Sequence, residues 1–241
     1  MPDPILALDT GSPLVSVALA RGGAVVAARS VAIERSSARL LEMVREVLEE
    51  AGVGMAEVGG IAVLRGPGSF TGVRIGLATV LGFHQALGLP VATPTSFQAL
   101  AAAVAEGAEV IVAAVDALRG EWSAQAFAPG LVPQALGEPE LVPGAELSRL
   151  AGGRPGVVTG FGISRLASSL PDWPGWPPGL RLVEPGPLAP AAARLAAAPE
   201  TVWDPALLTH PLYSRPPAFT PARPRTPAAA TARAARAARE S

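Results

Sequence analysis

The sequence predicts an α/β protein of two lobes, the second of them reduced, and three observations carry that reading. Residues 5–31 hold three β-like runs, Ile5–Leu8, Val15–Ala20 and Ala24–Val31, broken at Thr10-Gly-Ser-Pro13 and Arg21-Gly-Gly23, and helical and strand patterns alternate after them. A second apolar strand ending in aspartate, Val110–Asp116, with a glycine turn and the strand Glu121–Phe127 behind it, repeats this opening, so Asp9 and Asp116 stand at equivalent positions. Beyond Phe127 the periodic signals thin out.

The first three runs read as an antiparallel meander. From Ser37 to Ala51, Leu40, Leu41, Val44, Val47, Leu48 and Ala51 recur at helical spacing, with Arg39, Glu42, Arg45, Glu46 and Glu49 opposite them, which predicts an amphipathic surface helix. A strand over Gly60–Leu64, a glycine-rich turn, a helix over Thr71–Leu87 and a short strand near Val91 complete a βββ-α-β-α-β unit. This places a first lobe at 1–103, completed by a helix near 187–198, and a smaller lobe at 104–186. The smaller lobe has a strand through Leu141, a short helix near Glu146–Leu150 and a strand Val157–Gly160 leading into Phe161-Gly-Ile-Ser164; the completing helix falls near Pro190–Ala197. Past Tyr213 the chain turns to Pro, Ala and Arg, and 216–241 reads as a mobile tail.

Composition removes whole classes of chemistry. The 241 residues include no cysteine, two histidines (His84 and His210) and 19 basic residues, all arginine. Disulfides, cysteine nucleophiles, thiolate zinc, Schiff-base lysines and multi-histidine metal sites are therefore outside this chain's means. No metal site is expected. The amino terminus, Met1-Pro-Asp-Pro, lacks the positive charge of a signal peptide, and the expected location is the cytoplasm. A net charge of −1 argues against general affinity for nucleic acid.

The segment Arg65-Gly-Pro-Gly-Ser-Phe-Thr-Gly-Val-Arg-Ile-Gly76 lies between a strand and a helix, which makes it a site candidate. Gly66, Gly68 and Gly72 permit positive φ or close backbone approach, Pro67 stiffens the turn, and Ser69 or Thr71 can cap the helix. A helix N-terminus can hold an anion, but no lysine follows the glycines, so this is not a Walker P-loop.

The helix that follows is apolar around its circumference. Val73, Leu77, Val80, His84 and Leu87 form a bulky stripe; Ile75, Ala78, Gly82 and Ala86 form a small-residue stripe nearly opposite, leaving Arg74 and Gln85 for solvent. Arg74, His84, Gln85 and the glycines interrupt it too often for a membrane span. One stripe is expected on the lobe's own sheet, with His84 a core histidine, and the other against a second helix, either Ser37–Ala51 or one from another subunit.

With these motifs the chain resembles the TsaB (YeaZ) family. Ile5-Leu-Ala-Leu-Asp-Thr10 is similar to the family's first strand and aspartate turn, and Arg65–Gly76 to its most characteristic segment. Asp116-Ala-Leu-Arg-Gly-Glu121 resembles its Asp-Ala-Arg-x-Gly-Glu element, and Pro211-Leu-Tyr-Ser-Arg215 its Pro-x-Tyr-Leu-Arg ending. The resemblance covers residues 4–215, loosely over 128–210. One departure is Glu34-Arg-Ser-Ser-Ala38, which puts Ser36 where the family has histidine.

The resemblance implies a two-lobed ASKHA fold, the actin, Hsp70 and sugar-kinase type built on ribonuclease-H-like lobes. It also implies a non-catalytic scaffold that pairs through its first lobe with TsaD. With the ATPase TsaE, the pair transfers threonylcarbamoyl to the adenosine beside the anticodon of tRNA, and the chain forms a homodimer when alone. Under that reading no catalytic residue is expected. The partner-facing motif is Arg65, Gly66, Pro67, Gly68, Ser69, Phe70, Thr71, Gly72, Arg74, Ile75, Gly76, Ala78, Gly82 and Ala86. Asp9, Thr10 and Asp116 mark a vestigial nucleotide site; no cofactor is expected on the isolated chain, and ATP and magnesium belong to the complex. The alternative is a stand-alone small-molecule kinase using Asp9 and Asp116 with Mg-ATP, but Pro13 removes an amide from its first turn and the glycines of the second lobe read as ordinary turns. A peptidase reading lacks both a histidine pair and a Ser–His–Asp set.

Overall fold

The computed structural model describes residues 2–32, 39–104, 107–166 and 176–215. Ser36, the predicted helix start at Ser37 and the tail 216–241 lie outside the described residues.

Strands β1 (Ile5–Asp9), β2 (Leu14–Arg21) and β3 (Ala24–Ala32) form the predicted antiparallel meander. β4 (Gly60–Val63) and β5 (Val91–Ala92) add in parallel on the other side of β1, giving the order β3-β2-β1-β4-β5. The second sheet repeats this plan around β6 (Val110–Asp116). β7 (Glu121–Ala128) pairs with β6 antiparallel and carries the short β8 (Gln134–Ala135) and β9 (Glu140–Pro143). β10 (Gly156–Thr159) and β11 (Leu180–Val183) lie parallel beyond β6. Asp9 and Asp116 thus end the two central strands.

Strand alternation sorts the core into layers. Leu6 and Leu8 of β1, with Val17, Leu19, Ile61 and Val63, face α1 (Leu40–Glu50) and α2 (Phe70–Leu87). Ile5 and Ala7, with Ala18, Ala20 and Ala62, face α3 (Ser96–Ala103) and α4 (Ala189–Ala196). Small residues on both sides of that contact, including Ala191, Ala192 and Ala196 of α4, let helix and sheet approach closely. The same cluster contains Ile111, Ala113 and Phe127, so α3 and α4 lie between the two sheets. The far face of the second sheet packs Val112, Trp122 and Val158 on Leu147 and Ala151 of a 3₁₀ run, Gly144–Ala151, where the sequence predicts a short helix.

Helix α3 is absent from the sequence reading although its start is encoded. The Thr95 hydroxyl accepts from the Gln98 amide at 3.1 Å and the Gln98 side chain accepts from the Thr95 amide at 2.8 Å, a capping box legible as Thr95-x-x-Gln98. After α4, Trp203 bridges to Ala92 of β5, and a 3₁₀ turn, Pro205–Thr209, returns the chain to α2.

Candidate functional site

The glycine segment is a packing joint. Ser69 caps α2, its hydroxyl accepting from the Gly72 amide at 3.2 Å, while its own amide donates to the Gly11 carbonyl at 2.8 Å. The Thr10 hydroxyl donates to the Gly72 carbonyl at 2.8 Å. A Cβ on Gly68 would lie 2.6 Å from the Gly11 carbonyl oxygen, and one on Gly72 or Gly76 would overlap Thr10. The absence of side chains at these three positions lets the start of α2 press on the β1–β2 hairpin. Gly66, at φ +97, has the Leu212 carbonyl where a side chain would stand. The Arg65 carbonyl accepts from the Leu212 amide at 2.7 Å, and the half-buried Arg65 guanidinium reaches the His210 carbonyl at 3.5 Å. Burial lowers the pKa of Arg65.

Of its two apolar faces, helix α2 packs one within the described chain and leaves most of the other open. Val73, Leu77 and Val80 are buried on the sheet and His84 is half-buried with Nδ1 2.8 Å from the Leu89 carbonyl, but Leu87, assigned to the same stripe, is 46% exposed at the helix end. On the other stripe Ile75 is half-buried, whereas Ala78, Gly82 and Ala86 are exposed, as is Thr71 at the helix start, and a Cβ on Gly82 would meet nothing within 4 Å. α1 does not cover them, because Leu40, Met43, Val44 and Val47 are spent on the same core cluster as β2. Arg74 is not simply solvated. Its guanidinium lies 3.9 Å from the Phe70 ring centroid and its Nε donates to the Tyr213 hydroxyl at 2.9 Å, while Phe70 and Tyr213 stack at 5.0 Å.

Between the lobes lies a cleft of ≈ 200 Å³ whose lining includes Ser12, Pro13, Pro67, Ser69, Asp116 and Phe161. Asp9 is fully buried and does not line it; Oδ1 accepts from the Gly11 and Ser12 amides at 3.0 and 3.3 Å, a hairpin cap, and Oδ2 has no partner among the described residues. Burial pushes the Asp9 carboxyl up to about 6, against hydrogen bonds from Ser12 and Gly11 that lower it. Asp116 is exposed, and its Oδ1 accepts from the Leu118 amide at 2.7 Å in a turn where Leu118 and Arg119 both adopt left-handed backbone, φ 65 and 60. Elsewhere in the second lobe the amides of Gly162 and Ser164 both donate to the exposed Glu184 at 2.9 Å.

The cleft is below the roughly 300–1,000 Å³ typical of ligand pockets. The amides beside Asp9 cap Asp9, and those beside Gly162 are filled by Glu184. Among the described residues no three His, Asp or Glu side chains group closely enough for a metal ion. No described helix is long and apolar enough to cross a membrane.

Sequence reading missed Tyr213, Arg215 and Glu184 as structural partners of the site. Their contacts join residues far apart in the chain, such as Arg74 with Tyr213 and Arg215 with Glu121; the match of Pro211–Arg215 to a motif hinted at Tyr213 and Arg215, and nothing hinted at Glu184.

A family model described as TsaD, tRNA N6-adenosine threonylcarbamoyltransferase, matches residues 23–129. The TsaB protein of Haemophilus influenzae is 40% identical over 119 residues, covering 48% of this chain and 50% of that protein; Escherichia coli TsaB is 36% identical over 119 residues, covering 48% and 52%. The chain thus spans about half the length of the curated relatives it matches. Two crystal structures from Pseudomonas aeruginosa match nearly end to end. An uncharacterized protein with similarity to peptidase YeaZ gives 30% identity and a TM-score of 0.71 over 88% of this chain and 99% of that one. YeaZ itself gives 30% identity and 0.68 over 85% and 96%.

Proposed function

This chain belongs to the TsaB (YeaZ) family, and on that premise we propose that it is the non-catalytic partner of a TsaD homologue in forming threonylcarbamoyladenosine in tRNA. The observation that carries the reading is the open face of α2, where Ala78, Gly82 and Ala86 are exposed beside the glycine joint and nothing in the described chain lies on Gly82. Small residues at four-residue spacing suit close approach by a partner helix, and the joint holds the start of α2 rigidly for such an encounter.

TsaE and tRNA join through the complex, a homodimer forms on the same face when TsaD is absent, and the assembly works in the cytoplasm. ATP and magnesium are held by the complex and not by the isolated chain. The committed amides beside Asp9 and Glu184 and the small cleft speak against a stand-alone kinase. The test is co-purification with a TsaD homologue, for the wild type and for Gly82→Trp. A folded Gly82→Trp protein that still pairs with full affinity would remove α2 from the interface; a wild type that fails to pair would remove the function.

A further inference from the structure

The segment that follows the Pro205–Thr209 turn touches both lobes. On the first lobe the Leu212 amide donates to the Arg65 carbonyl at 2.7 Å, and Tyr213 stacks on Phe70 and bonds Arg74 through its hydroxyl. Two residues later Arg215 reaches the second lobe, pairing with the Glu121 carboxylate and donating to the Leu118 carbonyl at 3.4 Å. Leu118 lies in the left-handed turn and Glu121 follows it at the start of β7; the Leu118 amide is held by Asp116, a residue of the interlobe cleft. A continuous line of contacts therefore runs from Asp116 through Leu118 and Arg215 to Tyr213, Arg74 and the first turn of α2. Leu118, whose carbonyl takes part in it, has left-handed backbone. Non-glycine residues adopt that backbone at a cost, and retain it where surrounding contacts hold it.

We propose that Leu212–Arg215 is a strap that couples the second-lobe turn beside Asp116 to the N-terminal turn of α2. Tyr213 and Arg215 are accordingly positioning residues for the partner face of that helix, an assignment that rests on the function given above. The chain fixes the angle of α2 twice: from below by the glycine contacts with Thr10 and Gly11, and from the side by the strap. The first tie is internal to one lobe, whereas the second makes the angle depend on how the lobes sit.

Tyr213 is the only tyrosine in the chain, so 3-fluorotyrosine incorporated into the full-length protein gives a single fluorine resonance that reports docking of the strap. In Arg215→Gln and Glu121→Gln that resonance is expected to move towards the position of the unfolded protein. Amide exchange at Leu212 and Val73 should rise by about threefold or more. The dissociation constant for the TsaD homologue should rise by a similar factor, and the double variant should do no more than either single one. Tyr213→Phe, which keeps the ring, should retain more affinity than Tyr213→Ala. Unchanged exchange at Val73 in a folded Arg215→Gln protein overturns the coupling, as does unaltered pairing by Tyr213→Ala. If the wild type does not bind a TsaD homologue, the proposed function falls, and exchange at Val73 still decides whether the strap couples the lobes.

Discussion

Ser164 gives Glu184 both of its donors, the amide at 2.9 Å and the hydroxyl at 2.6 Å, and with the Gly162 amide these fill the carboxylate at the start of the Ile163–Arg165 turn. The amides of this second-lobe turn are thus occupied by the protein's own carboxylate. Burial raises the Glu184 pKa, but the Ser164 and Gly162 hydrogen bonds and the charge of Arg165 outweigh it and hold the group below its ordinary 4.5.

Replacing Glu184 by alanine is expected to lower stability by about 1 kcal/mol, at the low end for a charged acceptor because the group is largely exposed. The native pKa lies below the unfolded one, so the contribution is complete above about 4.5 and is lost as pH falls through the native value. Urea unfolding of wild type and Glu184→Ala at neutral pH and in mild acid measures this. A difference that stays constant from neutral pH down through that range would contradict the ionic origin of the effect.

Asp9 has the opposite sign. Its native carboxyl titrates near 6 against 3.8 when unfolded, so the native state holds the extra proton between those values and stability falls as pH rises through the interval. A shift of this size corresponds to about 3 kcal/mol at most. Asp9→Asn keeps the acceptor for Gly11 and Ser12 and removes the buried charge, at the cost of an amide nitrogen where Oδ2 now lacks a partner. The variant should be at least as stable as wild type above pH 7 and should lose the fall between pH 4 and 6. Under the proposed function it should also still support threonylcarbamoyl transfer with TsaD, whereas a kinase built on the Asp9 carboxylate would lose its phosphoryl transfer. Melting curves across pH and reconstituted transfer read the two halves separately.

Most of the first lobe is legible in the sequence because its signals are local. The meander is punctuated by Gly22–Gly23, and the α1 stripe has a charged opposite face, although Leu41, assigned to the stripe, is 62% exposed and Met43 is buried in it. The equivalence of Asp9 and Asp116 is also visible, since both close an apolar strand before a turn. The exposure of Ala78 and Gly82 was not legible: a wheel gives the direction in which a residue points but not what covers it, and the cover depends on where α1 settles. β11 carried little signal because Leu180–Val183 is an edge strand with only partial burial. The Arg74–Tyr213 bond spans 139 positions, beyond any periodicity.

Glycine-to-tryptophan at position 82 separates folding from association. A side chain there projects into open space on an exposed helix face, so the chain should fold with a melting temperature near that of wild type. Close packing of a partner helix on the Ala78–Gly82–Ala86 stripe would be blocked, and affinity for the TsaD homologue, or for a second copy of the chain, should fall by about tenfold or more. Circular dichroism melting with sedimentation of the mixed proteins reports both quantities.

Glycines on one helix should respond in opposite directions to the same methyl group. At Gly82 a Cβ meets nothing, and alanine is the better helix former, so Gly82→Ala should stabilise the monomer by up to about 1 kcal/mol. At Gly72 the Cβ would overlap the Thr10 carbonyl, and at Gly76 the Thr10 hydroxyl. Backbone cannot move aside at Gly72 without lifting α2 from the β1–β2 hairpin, so Gly72→Ala should cost about 2–3 kcal/mol despite its better helix propensity. Gly76→Ala should cost less if the Thr10 hydroxyl rotates away, but that rotation breaks its bond to the Gly72 carbonyl and leaves the buried Thr10 hydroxyl to find another acceptor. Denaturant midpoints for the three alanine variants test the order Gly82, wild type, Gly76, Gly72 from most to least stable. If Gly72→Ala were neutral, the glycines would serve flexibility and not close contact, and the rigid joint at the root of the partner face would be lost with them.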